Sequence, residues 1–224
     1  MINGIIKLKG DKSISHRVLI FAAMSKDKSI IYNLSNCKDV KHTINILKEC
    51  GIRITRHQNK TVILGTDKLK SYKKRFYCGN SGTTARLMLG FLPSRGISGE
   101  LYGDKSLSKR PMNRVINPLI KMNIKLSSKT GTLPIKFNAS KSQSIKHKLN
   151  VPSAQVKTSL ILSALTCSEN TEIKDIFNTR DHTERLIKFL GYDKKYYSKF
   201  NIKGFNYTVP GDISSASYLI AAAL

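Results

Sequence analysis

Two kinds of apolar segment alternate along the chain. One kind is apolar almost throughout and opens after small or hydroxyl residues: Lys12 to Met24, Ser81 to Leu92, Ser153 to Thr166 and Ser214 to Leu224. The other is amphipathic with a polar start: Val40 to Ile52, Met112 to Ile124 and His182 to Asp193. Both kinds predict helices. Ile14, Val18, Leu19 and Ala22 share one face of a 3.6-residue period, as do Val40, Ile44 and Leu47. Gly51 and Gly191 stand where a helix C-terminus wants a left-handed residue. Ser214 or Ser215 is the expected N-cap of the last helix, and Ser13, taken alone, that of the first. Between the helices, Ile52–Thr55 leads to Thr61–Leu64, and Ile124–Leu126 leads to Leu133–Phe137. Both pairs alternate apolar and polar positions across polar turns, which predicts hairpins. The amphipathic segments recur at about 70 residues, longer than the usual solenoid period. The repeating unit reads β-α-β-α-β-β in an α/β (α+β) fold. Three units fit between about residues 9 and 207, and a fourth begins.

The 224 residues give ample length for a core. No apolar run approaches the roughly 18 residues of a membrane span, and the N-terminus lacks a signal-peptide core. Cys37, Cys50, Cys78 and Cys167 are widely spaced with no CxxC pair, which fits reduced thiols in a cytoplasmic protein. The stretches Gly4 to Lys9 and Tyr207 to Gly211 are the expected crossings between domains. The last apolar helix has no stop signal, so the chain is expected to be the front part of a longer protein. The net charge of +25 is consistent with a domain binding phosphate-rich polymers. That charge is spread along the chain, however, and no zinc finger, RNP motif or basic heptad array is present.

Candidate chemistry lies in a near-repeat. Gly10-Asp11-Lys12-Ser13-Ile14-Ser15-His16-Arg17 resembles Gly103-Asp104-Lys105-Ser106-Leu107-Ser108-Lys109-Arg110. Each joins a turn-forming Gly-Asp to hydroxyls and basic groups, the chemistry of an anion cradle. Gly79-Asn80-Ser81-Gly82-Thr83-Thr84 is another hydroxyl-rich turn opening an apolar segment.

Six blocks in order carry a family resemblance: Gly10–Arg17, Cys78–Arg86, Lys109–Met112, Val151–Lys157, Thr179–Glu184 and Pro210–Ala216. Together they resemble the signature blocks of the 5-enolpyruvylshikimate-3-phosphate synthases across essentially the whole chain. The resemblance implies two domains, each of three β-α-β-α-β-β units around pseudo-threefold symmetry, with the active site between them. By that pattern residues 1–8 form a strand of the second domain, 9–207 the first domain, and 208–224 the start of the second. The implied reaction joins phosphoenolpyruvate to the 5-hydroxyl of shikimate 3-phosphate with loss of phosphate, using no metal or redox cofactor. The implied partners are those two anionic substrates and the missing C-terminal domain. No specific nucleic acid and no membrane is expected, and the full-length protein is expected to be a monomer.

The resemblance also assigns residues. Lys12 matches the lysine that reaches phosphoenolpyruvate and stabilises charge in the reaction. Ser13 and Arg17 match the pair on the shikimate ring substituents. Asn80, Gly82 and Thr83 match the turn beside phosphoenolpyruvate, and Arg110 an arginine on its phosphate, with Pro111 starting the next helix. Ser153, Ala154 and Gln155 match the block holding the shikimate phosphate, with Gln155 bridging to phosphoenolpyruvate. Arg180 matches a phosphate-side residue that varies within the family. His16, His182, Lys105 and Ser106 are expected to be structural.

The family's proton-transfer carboxylates belong to the second domain, before which this chain stops, so the chain is expected to bind but not turn over. Gly82 stands where herbicide-sensitive members keep glycine, which implies glyphosate sensitivity in the full-length enzyme. The sister family acting on a UDP-linked amino sugar usually carries a loop cysteine near residues 96–110, and none occurs there.

Overall fold

Every helix that the apolar pattern predicts is formed. A computed structural model describes residues 4–223. Among these, the chain order is α1 (Lys12–Met24), β1 (Lys28–Tyr32), α2 (Lys38–Glu49), β2 (Arg53–Arg56), β3 (Lys60–Leu64), β4 (Arg75–Tyr77), α3 (Gly82–Ser94) and β5 (Gly99–Tyr102). A 3-10 turn (Leu107–Lys109), α4 (Asn113–Lys121), β6 (Lys125–Ser127), β7 (Ile135–Asn138), β8 (Lys146–Lys148) and α5 (Ala154–Ala164) follow. The chain continues through β9 (Glu172–Lys174), α6 (His182–Phe189), β10 (Asn206–Thr208) and α7 (Ile213–Ala223).

The amphipathic helices end three or four residues before the apolar pattern does, for one shared reason. Each stops at a left-handed residue, Gly51, Asn123 or Gly191. The next residue then donates its N–H back into the helix: Ile52 to Leu47, Ile124 to Leu119 and Tyr192 to Ile187. This closure satisfies terminal carbonyls and folds a buried apolar side chain back onto the core. The hydrophobic signal therefore runs past the helix.

The repeat is visible in the sheets. One has the order β10-β1-β3-β2 and another β4-β5-β7-β6. In both, the first pair is parallel and the others antiparallel, with the two predicted hairpins forming β2–β3 and β6–β7. The first sheet takes its outer strand from the far end of the chain, with Ile31 opposite Tyr207, so the units close into a ring. The third unit departs from expectation. Its parallel pair β8–β9 forms, but among the described residues its hairpin is replaced by a single bridge, Thr171 to Tyr197. There Tyr192 packs on Tyr197 and Phe200, and its hydroxyl accepts the Ser198 N–H, curling the segment on itself. Residues 4–8 also form no strand: a strand needs a neighbour, and among the described residues the nearest pairing is the bridge between Gly10 and Gly211. Residues 1–3 of that expected strand lie outside the described residues. Residues 9–11 run beside residues 210–212, with Asp11 N–H donating to the Pro210 carbonyl and Asp212 N–H to that of Lys9.

Helices α1, α3 and α5 are buried around nearly their whole circumference, whereas α2, α4 and α6 bury one face. The three buried helices are the apolar class of the sequence and form the centre of the molecule. Helix α3 packs closely on α5 because residue 90 is glycine: a Cβ there would lie 2.1 Å from the Ser159 carbonyl oxygen. Helix α7 is different, with Ile213, Tyr218, Leu219 and Ile220 exposed. Its cap is Asp212, which accepts the Ser214 and Ser215 N–H groups, rather than either serine. The four cysteines are free thiols, and burial pushes those of Cys50 and Cys78 up to about 12. No helix among the described residues is long and apolar enough to cross a membrane.

Candidate anion-binding site

The repeated Gly-Asp turns are capping devices. Asp11 Oδ1 accepts the Ile14 N–H at 2.7 Å, and Asp104 Oδ1 accepts the Leu107 N–H at 2.7 Å. Asp11, not Ser13, is therefore the N-cap of α1, because its carboxylate also faces the positive end of the helix dipole. That leaves the Ser13 hydroxyl uncommitted to capping. Lys105 and Ser106 in the second copy are exposed. Helices α3 and α5 are capped by Ser81 and Ser153, as their sequences predict. Pro111 lies two residues before α4, which starts at Asn113.

The N-terminal turns of α1, α5 and α6 meet around Arg17. Its Nε donates to Thr183 Oγ1 at 2.8 Å, its Nη2 to Thr158 Oγ1 at 2.9 Å, and its Nη1 to the Ser13 carbonyl at 2.8 Å. Arg17 is buried and among the described residues forms no ion pair. Burial lowers its pKa to about 10, with Arg180 adding repulsion against the pull of Glu184 and Asp11. Three of its five N–H donors serve these contacts, so the guanidinium keeps both charge and donors for an anion.

The N-terminal turns of α3 and α5 meet around Gln155. Its Nε2 donates to Thr83 Oγ1 at 2.9 Å, and its Oε1 accepts from Arg86 Nη1 at 2.7 Å. Arg86 also reaches the Pro111 carbonyl at 3.4 Å, while its Nε is buried without a partner among the described residues. Burial and the charges of Arg114 and Arg110 lower the Arg86 pKa to about 10. Arg110 donates to Asn80 Oδ1, and Asn80 Nδ2 donates to Asp104 Oδ2 at 2.8 Å. The Leu107 N–H and Asn80 hold the Asp104 carboxyl below the usual range. Gly82 sits at the start of α3, where a Cβ would lie 2.8 Å from Arg86 Nη1 and 3.4 Å from Arg110 Nη1. A glycine here leaves the space in front of two guanidiniums open to an anion.

Gln155 thus joins the Asn80–Gly82–Thr83–Arg110 group to the α5 turn that also holds Ser153 and Ala154. The remaining sequence candidates sit at its edges. Lys12 is half-exposed, with Nζ 3.2 Å from Asp39 Oδ2. Arg180 is exposed and makes no hydrogen bond or ion pair among the described residues, although its charge is felt at Arg17 and His182. His16 is buried, with Nδ1 2.8 Å from Thr43 Oγ1, and burial lowers its pKa to about 3. His182 is half-buried, and burial followed by the charge of Arg17 lowers its pKa.

Sequence reasoning missed Arg86, Thr158 and Thr183. A signal existed for the first two. Arg86 lies four residues after Gly82, and Thr158 four after Ala154, so each shares a helix face with a candidate. Among the described residues, no group of three or more His, Cys, Asp or Glu gathers at metal-binding distance. A cleft of about 600 Å³ lies elsewhere, lined by Lys7, Lys9, Arg56 and Lys60 among others, and includes none of these candidates.

Three comparisons with known proteins agree with one another. The sequence model of one family, EPSP synthase (3-phosphoshikimate 1-carboxyvinyltransferase), matches residues 1–224. The 3-phosphoshikimate 1-carboxyvinyltransferase of Vesicomyosocius okutanii is 40% identical over 98% of this chain and 53% of its own length. That of Oceanobacillus iheyensis is 39% identical over 99% of this chain and 54% of its own length. The solved EPSP synthase of Acinetobacter baumannii superposes with a TM-score of 0.90 at 32% identity, covering 97% of this chain and 52% of that one. The chain spans about half the length of the curated relatives it matches.

Proposed function

Because the chain belongs to the EPSP synthase family, we propose that it provides one wall of a site where phosphoenolpyruvate and shikimate 3-phosphate react. In that reaction the 5-hydroxyl of shikimate 3-phosphate attacks C2 of phosphoenolpyruvate as C3 gains a proton. The tetrahedral intermediate then loses phosphate. Both substrates are multiply anionic, so the wall needs fixed donors and cations rather than a hydrophobic pocket. On this reading Ser13, Arg17, Ser153, Ala154 and Gln155 hold shikimate 3-phosphate, with Arg180 at the edge. Asn80, Gly82, Thr83 and Arg110 face phosphoenolpyruvate, and Lys12 stands between the two and stabilises developing charge. Gln155 touches both groups, and Arg86 adds a second guanidinium beside Arg110. General acid-base groups are assigned to the half of the relatives that this chain does not span.

The observation that carries the reading is Arg17: a buried guanidinium held by two threonine hydroxyls and a carbonyl, with no carboxylate in ion-pair contact among the described residues. A cation left unpaired in a low-dielectric position is costly unless an anion completes it. Calorimetry tests this directly. Shikimate 3-phosphate is expected to bind the 224-residue chain more tightly than inorganic phosphate. Arg17→Ala is expected to weaken it by about 1.5–3 kcal/mol, the worth of a charge-assisted contact. Equal binding of the two anions would overturn the site assignment. Displacement of shikimate 3-phosphate by duplex DNA at equal phosphate concentration would instead favour a general polyanion-binding role.

A further inference from the structure

Beneath the Arg17 contacts lies a buried ion cluster that the functional reading does not use. Lys157, one turn into α5, is 4% exposed. Its Nζ lies 2.8 Å from Asp175 Oδ2, pairs with Glu184 Oε1 and reaches the Thr179 carbonyl at 3.4 Å. Asp175 in turn gathers its own loop, accepting the Phe177 N–H at 3.0 Å, the Thr179 N–H at 3.0 Å and the Thr179 hydroxyl at 2.6 Å. Burial alone would lower the Lys157 pKa, but its bonds to Asp175 and Glu184 outweigh that and raise it.

The arrangement is paired residue by residue across two helices. Lys157 and Thr158 are neighbours on α5, and Thr183 and Glu184 are neighbours on α6. Lys157 holds Glu184 while Thr158 meets Thr183 at 2.6 Å, and Arg17 donates to both threonines. The loop fixed by Asp175 and Thr179 leads directly into Arg180. A single ammonium group thereby ties α5, the 175–179 loop and the first turn of α6 into one body.

We infer that Lys157 is a positioning residue, which fixes the Thr158–Thr183 hydroxyl pair and Arg180 so that the Arg17 guanidinium is held ready for the anionic cyclohexene carboxylate. It touches no ligand itself. Its effect passes through Thr183 and the 175–180 loop, because a guanidinium is useful only in a fixed orientation. The inference rests on the proposed binding of shikimate 3-phosphate for its consequence, but the clamp can be tested separately.

The experiment pairs calorimetry with amide hydrogen exchange on the 224-residue chain and on Lys157→Met, Lys157→Arg and Glu184→Gln. Lys157→Met is expected to weaken shikimate 3-phosphate by roughly tenfold or more, and to speed exchange at Phe177 and Thr179. Lys157→Arg, which keeps the charge and the donors, is expected to restore most of both, a rescue that mere filling of the space would not give. Should Lys157→Met fail to fold, Glu184→Gln carries the same comparison, because it leaves the Lys157–Asp175 pair in place. Wild-type affinity in either folded variant overturns the positioning role, as does unchanged exchange at residues 177–183. If the unmodified chain binds shikimate 3-phosphate no better than inorganic phosphate, the functional reading falls, and exchange alone then decides for or against the clamp.

Discussion

A single methyl group tests the part of the site proposed to face phosphoenolpyruvate. At Gly82 the added Cβ would meet Arg86 Nη1 at 2.8 Å, closer than a Cβ tolerates. Arg86 has little freedom to retreat, since Gln155 Oε1 and the Pro111 carbonyl hold its guanidinium. Gly82→Ala is therefore expected to weaken phosphoenolpyruvate by roughly tenfold, about 1.4 kcal/mol, while leaving shikimate 3-phosphate close to unchanged. In the full-length enzyme the same change is expected to raise resistance to glyphosate. Titration of both ligands into the variant checks the split, and unchanged phosphoenolpyruvate affinity would remove Gly82 from the pocket. At this scale the sequence shows the residues inside recognisable blocks, such as Lys12, Gly82 and Gln155. It hides those whose role depends on a distant partner. Thr183 gains meaning only because Arg17, 166 residues away, donates to it. Asp11 displaces Ser13 as the cap because only the folded turn aims its carboxylate at the Ile14 N–H.

Elements are joined by polar contacts that pH can break. His16 on α1 bonds Thr43 on α2, which meets Thr84 on α3 at 2.9 Å, and Thr84 donates to Ser81. Among the described residues the His16 Nε2 is buried without a partner, and Arg17 and Lys12 lie close by, so the ring stays neutral with its pKa lowered to about 3. The unfolded chain protonates the same ring below about pH 6.5. The stabilisation from burying it neutral is complete above that pH and declines as pH falls towards 3. From about pH 7.5 to about pH 5 the cost is about 2 kcal/mol. His16→Asn retains a polar partner for Thr43 and cannot titrate. Urea unfolding at the two pH values should show the wild type losing about 2 kcal/mol more than this variant. Equal losses would mean that His16 is not held neutral. Element type was legible because the 3.6-residue and two-residue periods separate cleanly. Helix ends were not, because Ile52, Ile124 and Tyr192 continue the apolar pattern beyond a left-handed cap. The missing third hairpin was hidden for a related reason: apolar and aromatic content at residues 192–200 does not reveal whether Tyr192 pairs across a strand or packs on Tyr197.

Across the whole molecule, the N-terminal parts of the three buried helices are joined in series, α1 to α5 through Arg17 and α5 to α3 through Gln155. The repeat predicts this, since each unit places its buried helix in the same way. Closure of the ring by β10 on β1 was not predictable from local pattern, because it joins residues 176 apart in sequence, Ile31 and Tyr207. On the proposed reading, one wall of cations would bind anions but not complete a reaction between two of them. In the proposed reaction phosphoenolpyruvate must gain a proton at C3 while the 5-hydroxyl of shikimate 3-phosphate loses one, and each transfer needs a group within hydrogen-bond reach. Among the described carboxylates near the site, Glu184 and Asp175 pair with Lys157, and three lie closer to the candidate residues for phosphoenolpyruvate: Asp11 and Asp104 accept backbone N–H bonds and Asp39 pairs with Lys12. All three are committed to structure or charge pairing. The chain spans about half of its curated relatives, and closure of a second wall would both expel water and add the missing groups. The 224-residue chain alone is therefore expected to release no phosphate from shikimate 3-phosphate and phosphoenolpyruvate in a steady-state assay. Mixing it with, or fusing it to, the remaining half of a relative such as the Oceanobacillus iheyensis enzyme should restore release if the halves dock. Groups that act together lose activity far out of proportion to their number, so the gap should span several orders of magnitude. Robust turnover by the chain alone would place the proton-transfer groups within these 224 residues and make Asp39, the partner of Lys12, the first residue to replace.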